Sequence, residues 1–81
     1  MFSRDLFSKR LGSLRRNAGV TQAELASKVG LNRTAVTLME RGDRVASIEV
    51  LCAIADYFDV SLDYLVGRSE IKERPGAPKE E

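Results

Sequence analysis

The chain has 81 residues, a net charge of +1, 43% hydrophobic and 31% charged residues, so it is one small globular domain and neither fibrous nor disordered in composition. It has no histidine and a single cysteine, Cys52, which excludes Ser–His or Cys–His catalysis, imidazole metal sites, an intrachain disulfide and CxxC chemistry. No apolar run approaches the roughly 18 residues of a membrane helix, and the start MFSRDLFSKRL is too charged for a signal-peptide core. The expectation is a cytoplasmic protein with no membrane span, no metal and no cofactor. The charge is unevenly placed. Residues 1–44 carry nine basic and four acidic side chains, a net of +5, and residues 45–81 carry four and eight, a net of −4. An N-terminal half of that sign can meet a polyanion, although a solvated surface with chance clustering gives the same count.

The apolar spacing is helical throughout, and no alternating strand pattern occurs. Phe7, Leu11, Leu14 and Ala18 mark one face of a first helix that starts near Ser3 or Asp5 and stops before Gly19. Thr21 and Glu24 form a capping box that opens a second helix, Gln22 to about Val29, with Leu25, Ala26 and Val29 inward. Gly30-Leu31-Asn32 is a short turn, and Asn32 caps a third helix, Arg33–Arg41, closed by Gly42. Ser47 caps a fourth helix with Ile48, Leu51, Cys52, Ala55 and Phe58 on its inner face. Ser61 or Asp63 starts a short fifth helix with Leu62 and Leu65, which stops at Gly67. The expected domain is residues 1–67. Residues 68–81 carry both prolines and many charges, and are expected to be a flexible tail beyond the first few positions.

Helices two and three, joined by a three-residue turn, make a helix-turn-helix candidate. Ala26 is small enough for close helix crossing, Gly30 tolerates the turn's positive φ, and Val36 and Met39 provide two inward residues one turn apart. An ordinary helical hairpin would need none of these in register.

Together the segments GVTQAELASKVGLNRTAVTLMERG and SIEVLCAIADYFDVSLDYLVG resemble the Cro/repressor-type helix-turn-helix family, the xenobiotic-response-element group, over residues 6–67. The resemblance implies an all-α, five-helix, lambda-repressor-like domain that binds double-stranded DNA as a homodimer and regulates transcription, with repression of a palindromic operator as the expected role. The alternative is an antitoxin-like module whose helix-turn-helix face binds a partner protein. Without histidine, a ligand cluster or a Gly-rich phosphate loop, no enzymatic site is expected.

At 100° steps, with Val36 and Met39 inward, Thr34 and Arg41 of helix three point outward, Thr37 and Leu38 lie on its flanks, and Arg33 stands at the first turn. Arg33 can read guanine O6 and N7, and Thr34 and Thr37 can read most bases. Its position is costly for a cation, because the helix N-terminus carries partial positive charge. Gln22 at the start of helix two is placed to hold a phosphate, as the matching glutamine does in proteins resembling this one, and Asn32 joins the DNA-facing set. Arg41 and Arg44 flank Gly42 as phosphate contacts. Leu38 departs from the family pattern: an exposed leucine there can read a thymine methyl, meet a protein, or do neither. Asp43 also departs from it, placing an acid where a base is common. Arg15 and Glu40 sit at matching edges of helices one and three, and the family often pairs an arginine and a glutamate there. Cys52 is expected in the core. Val50, Ala53 and Tyr57, at i, i+3 and i+7 of helix four, are expected to face outward with Tyr64 as a dimer interface.

Overall fold

The computed structural model describes residues 2–74. It contains α1 (Arg4–Asn17), α2 (Gln22–Val29), α3 (Arg33–Arg41), α4 (Ile48–Phe58) and α5 (Leu62–Leu65), with no strand among the described residues. Each helix starts on a side chain that accepts one of the orphan N–H groups of its first turn. Ser3 caps α1, Thr21 caps α2 with Glu24 closing the box, and Asn32, Ser47 and Ser61 cap α3, α4 and α5. Asp5 in the first turn of α1 and Arg15 and Arg16 in its last turn match the helix dipole. α4 ends on Asp59 at φ 56, a left-handed residue that aspartate tolerates better than most.

The core is one cluster. Phe7, Leu11 and Leu14 of α1, Leu25, Ala26 and Val29 of α2, and Val36 and Met39 of α3 meet Leu51, Ile54 and Ala55 of α4 and Val60, Leu65 and Val66 beyond it. α3 packs on both α1 and α2, while α4 lies against α2, and α5 against α1 and α4. Burial of these side chains supplies the main favourable term in folding. The sharp α2–α3 turn rests on Gly30 at φ 78, and the N–H of Leu31 donates back to Ala26 O at 2.8 Å.

Three expected placements are corrected. Ala18 is exposed, because α1 ends at Asn17 and Ala18 is its C-cap. On α4 the inner face is Leu51, Ile54 and Ala55. Cys52 is exposed, and Ile48 is 60% exposed. α4 is apolar on most of its circumference, so spacing alone does not fix its inner face, and packing keeps Leu51 and Ala55 inward but turns the face from Ile48 and Cys52 toward Ile54.

The chain after α5 does not leave the domain at Gly67. The N–H of Ser61 donates to Lys72 O at 2.8 Å, and its hydroxyl donates to Ile71 O at 3.0 Å. The Arg10 guanidinium donates to Tyr64 O at 2.5 Å, Ser69 O at 2.8 Å and Glu70 Oε1 at 2.9 Å, and lies 4.1 Å from the Tyr64 ring centroid. Arg74 reaches Asp56 Oδ1 at 2.7 Å and Asp59 Oδ1 at 3.3 Å. Residues 68–74 thus run back along the α4–α5 side. The remaining tail positions, 75–81, lie outside the described residues.

Gly67 closes this end of the fold. Its φ is 85, and a Cβ there would come within 2.8 Å of Ser3 Cβ and 3.0 Å of Leu6 Cβ, while the N–H of Ser3 donates to Val66 O at 2.8 Å. Gly30 has the same backbone sign, but a Cβ there would meet nothing within 4 Å. Gly30→Ala should cost only backbone strain, about 1–2 kcal/mol. Gly67→Ala adds overpacking and should cost about 2–5 kcal/mol. Urea denaturation of the two variants checks this. Equal midpoints would remove the steric role assigned to Gly67.

Candidate nucleic-acid interface

The helix-turn-helix is held at its back by one ion pair. Arg15 of α1 grips Glu40 of α3 through two N–H groups, Nε to Oε2 at 2.5 Å and Nη2 to Oε1 at 3.1 Å. Its third contact is Nη1 to Val20 O at 2.9 Å, which anchors the segment entering α2. The two side chains are 15% and 10% exposed. The hydrogen bond to Glu40 holds the Arg15 guanidinium above its usual pKa, against the opposing effect of burial, so it stays charged at any ordinary pH.

Glu40 passes the connection to α2 and onward. Gln22 Nε2 donates to Glu40 Oε1 at 3.1 Å, and Thr37 Oγ1 donates to Gln22 Oε1 at 2.8 Å. The Thr37 hydroxyl also lies 3.1 Å from Arg33 O, one turn back on its own helix. The result is a polar chain, Arg15–Glu40–Gln22–Thr37, from the rear of the domain to the α2–α3 face. Among the described residues no buried side-chain N or O atom lacks a partner.

The expected interface residues divide accordingly. Arg33 and Thr34 are exposed at the N-terminal end of α3. Asn32 is exposed, and its Oδ1 caps α3 by accepting the N–H of Ala35 at 2.9 Å. Gln22 and Thr37 are half-buried and joined to each other. Leu38 is half-buried rather than fully exposed. Arg41 and Arg44 are exposed on either side of Gly42, but Arg41 Nη2 lies 3.2 Å from Asp43 Oδ2. Sequence reasoning paired Gln22 with phosphate and missed its bonds to Glu40 and Thr37. The i, i+4 spacing of Arg33 and Thr37 signals the back-bond within α3, but the link from α2 depends on tertiary packing. Arg10, counted among the basic residues of the N-terminal half, serves the C-terminal segment instead.

Of the expected dimer residues, Tyr57 is 39% exposed, with its ring edge-on to Phe58 at 5.0 Å. Val50 and Ala53 are half-buried and touch the core. Tyr64 is half-buried beneath Arg10, so it stands less free than the sequence implied.

Residues 11–65 match the helix-turn-helix family, and the chain belongs to that family. It is 39% identical over 61 residues to the uncharacterized HTH-type transcriptional regulator YqaE of Bacillus subtilis, covering 75% of this chain and 53% of that protein. It spans about half the length of the curated relatives it matches. Among solved structures it is similar to the P22 c2 repressor in complex with a synthetic operator. That match has a TM-score of 0.75 and 28% identity, and covers 79% of this chain and 97% of that one. It is also similar to the restriction-modification controller protein C.AhdI of Aeromonas hydrophila. Here the TM-score is 0.70 and the identity 34%, over 76% of this chain and 94% of that one. These relatives are regulators and repressors, not enzymes. No helix of the described residues is long and apolar enough to cross a membrane.

Removing one partner of the Arg15–Glu40 pair leaves a largely buried charge alone. Glu40→Ala should cost about 3–5 kcal/mol, which for a domain this small lowers the melting temperature by roughly 12 °C or more. An Arg15→Met, Glu40→Leu double variant should recover much of that loss. A calorimetric melt of Glu40→Ala within two degrees of wild type would assign the pair the small worth of an exposed one.

Proposed function

We propose that this protein is a sequence-specific regulator of transcription that binds double-stranded DNA by laying α3 in the major groove. The observation that carries the reading is the polar face built from the N-terminal turns of two successive helices: Gln22 at the start of α2, and Asn32, Arg33 and Thr34 at the start of α3, with Arg41 and Arg44 at the far end. An α-helix fits the major groove, and helix N-termini with flanking arginines fit the phosphates on either side. The similarity to a repressor in complex with its operator supports the same docking. Arg33 reads a base. Gln22, Arg41 and Arg44 hold phosphates and set register, which adds affinity without sequence information. Repression in the cytoplasm is the corresponding role.

Fluorescence anisotropy on a selected site and on random duplex separates these contributions. Arg33→Ala should weaken the selected site by about 1–3 kcal/mol and relax preference at one base pair. Gln22→Ala should weaken both duplexes alike. Equal losses on both duplexes for Arg33→Ala would remove its base-reading role, and binding that ignores salt would remove the DNA reading altogether.

The same reading includes a two-fold dimer through the outer side of α4. Tyr57 offers a large exposed ring there, flanked by the partly accessible Val50 and Ala53, with Tyr64 at the margin. Such a pair would set two copies of α3 about 34 Å apart, one turn of a palindromic site. Sedimentation equilibrium should give a dimer for wild type and a monomer for Tyr57→Asp. A wild type that stays monomeric at tens of micromolar, or a variant that dimerises equally, would rule out this surface.

A further inference from the structure

We infer that Thr37 meets DNA solely as a hydrogen-bond acceptor, and so selects the amino group of a base, adenine N6 or cytosine N4, over a carbonyl. The inference rests on the proposed docking of α3 in the major groove and adds the chemical sense of one contact within it.

The argument is a count of protons along the polar chain. A carboxylate has no proton to give, and Glu40 already accepts two N–H groups from Arg15. Gln22 must therefore turn its NH2 toward Glu40, which fixes the amide orientation without reference to DNA. Its carbonyl then faces Thr37, and the Thr37 hydroxyl donates to it at 2.8 Å. A threonine hydroxyl has one proton and two lone pairs. Should Gln22 swing toward a phosphate, the same proton still has Arg33 O at 3.1 Å. Both acceptors belong to the protein, so the proton stays inside in either arrangement, and the lone pairs remain for DNA. Gln22 keeps one amide N–H unused by Glu40, the complement of a phosphate oxygen.

In the major groove each base pair offers its donor and its acceptor on opposite strands, adenine N6 against thymine O4 and cytosine N4 against guanine O6. A hydroxyl that could donate would accept either side. One that only accepts is tied to the amino-bearing base. Arg15 and Glu40 set the orientation of the Gln22 amide without touching a base.

The experiment uses the full 81-residue chain. Binding-site selection with wild type and Thr37→Val identifies the base pair whose preference depends on the hydroxyl. At that pair the amino-bearing base is replaced by an analogue lacking the amino group, purine for adenine or 2-pyrimidinone for cytosine. In a separate duplex the carbonyl-bearing base is replaced instead, 5-methyl-2-pyrimidinone for thymine or 2-aminopurine for guanine. Relative to Thr37→Val, wild type should lose roughly three- to tenfold in affinity on removal of the amino group, the worth of one net hydrogen bond. It should lose no more than Thr37→Val does on removal of the carbonyl. Coupling to the carbonyl would overturn the inference, as would a Thr37→Val variant whose preferences match wild type at every position. Those two results leave DNA binding standing, whereas a wild type that binds no duplex removes both readings. If Thr37→Val folds poorly, Thr37→Ala takes its place in both the selection and the analogue comparison.

Discussion

The helix-turn-helix of this protein depends on Arg15 and Glu40. A domain of five short helices has little apolar area with which to fix the angle between α2 and α3. The guanidinium of Arg15 touches Glu40 on α3 and the carbonyl of Val20 at the entry to α2, so one side chain on α1 ties both halves of the motif to the scaffold. An arginine suits this task because its planar fork can bind a carboxylate in two-point fashion and still hold a carbonyl. The pair is a weak source of net stability compared with an apolar substitute, since desolvation offsets much of the attraction. Its value lies in direction. It places a carboxylate where only a donor can approach, and Gln22 answers by orienting its amide.

α1 carries a second arginine with a comparable role at the other end of the molecule. Arg10 donates to carbonyls of Tyr64 and Ser69 and lies over the Tyr64 ring, so it closes the α5 turn and the chain that follows. Ser61 holds the same chain from below through its N–H and its hydroxyl. The two arginines therefore divide the domain between a recognition end and a C-terminal end, with the apolar row Phe7, Leu11 and Leu14 between them. Segment 68–74 is consequently part of the folded unit, and Arg74 across Asp56 and Asp59 fastens it to the last turn of α4.

Local features of the fold were legible in the sequence, and non-local ones were not. The N-caps Thr21, Asn32 and Ser47 and the glycines after α2 and α3 act within four residues of themselves, so their chemistry is written in adjacent letters, while Ser3 and Ser61 were each one of two candidates. The α2–α3 register was legible for the same reason, with Ala26, Val36 and Met39 buried as the motif demands. α4 was harder. Ile48, Val50, Leu51, Cys52, Ala53, Ile54 and Ala55 are all apolar, so no periodicity selects a face, and packing against α2 and α5 decides it. The bonds that Arg10 and Ser61 make to the C-terminal segment gave no signal because their partners lie about 10 to 60 residues away in sequence. The bonds of Gln22 to Glu40 and Thr37 likewise exist only once α2 and α3 have packed.

The cations of the N-terminal half are unevenly engaged, and under the proposed docking this bears on how the protein would discriminate. The net +5 of the N-terminal half already counts Asp5, Glu40 and Asp43, so the pairs made with them leave it unchanged, and among the described residues Arg10 alone is engaged by an acid outside that half, Glu70. Lys9 faces Asp5 at 3.4 Å, and Arg41 faces Asp43 at 3.2 Å. On the α3 face Arg33 and Arg44 stand exposed and, among the described residues, form no ion pair. Non-specific affinity comes almost wholly from phosphate neutralisation, and under the proposed docking Arg33 and Arg44 would supply it on this face while Arg41 is shared with Asp43. Under the proposed docking, base contacts from Arg33 and the hydroxyls of Thr34 and Thr37 would act over hydrogen-bond distances and would not depend on the free charge of the face. If α3 docks as proposed, a face whose free arginines stand at its two ends, with Thr37 held by Gln22 between them, would draw its discrimination from base contacts more than from added charge.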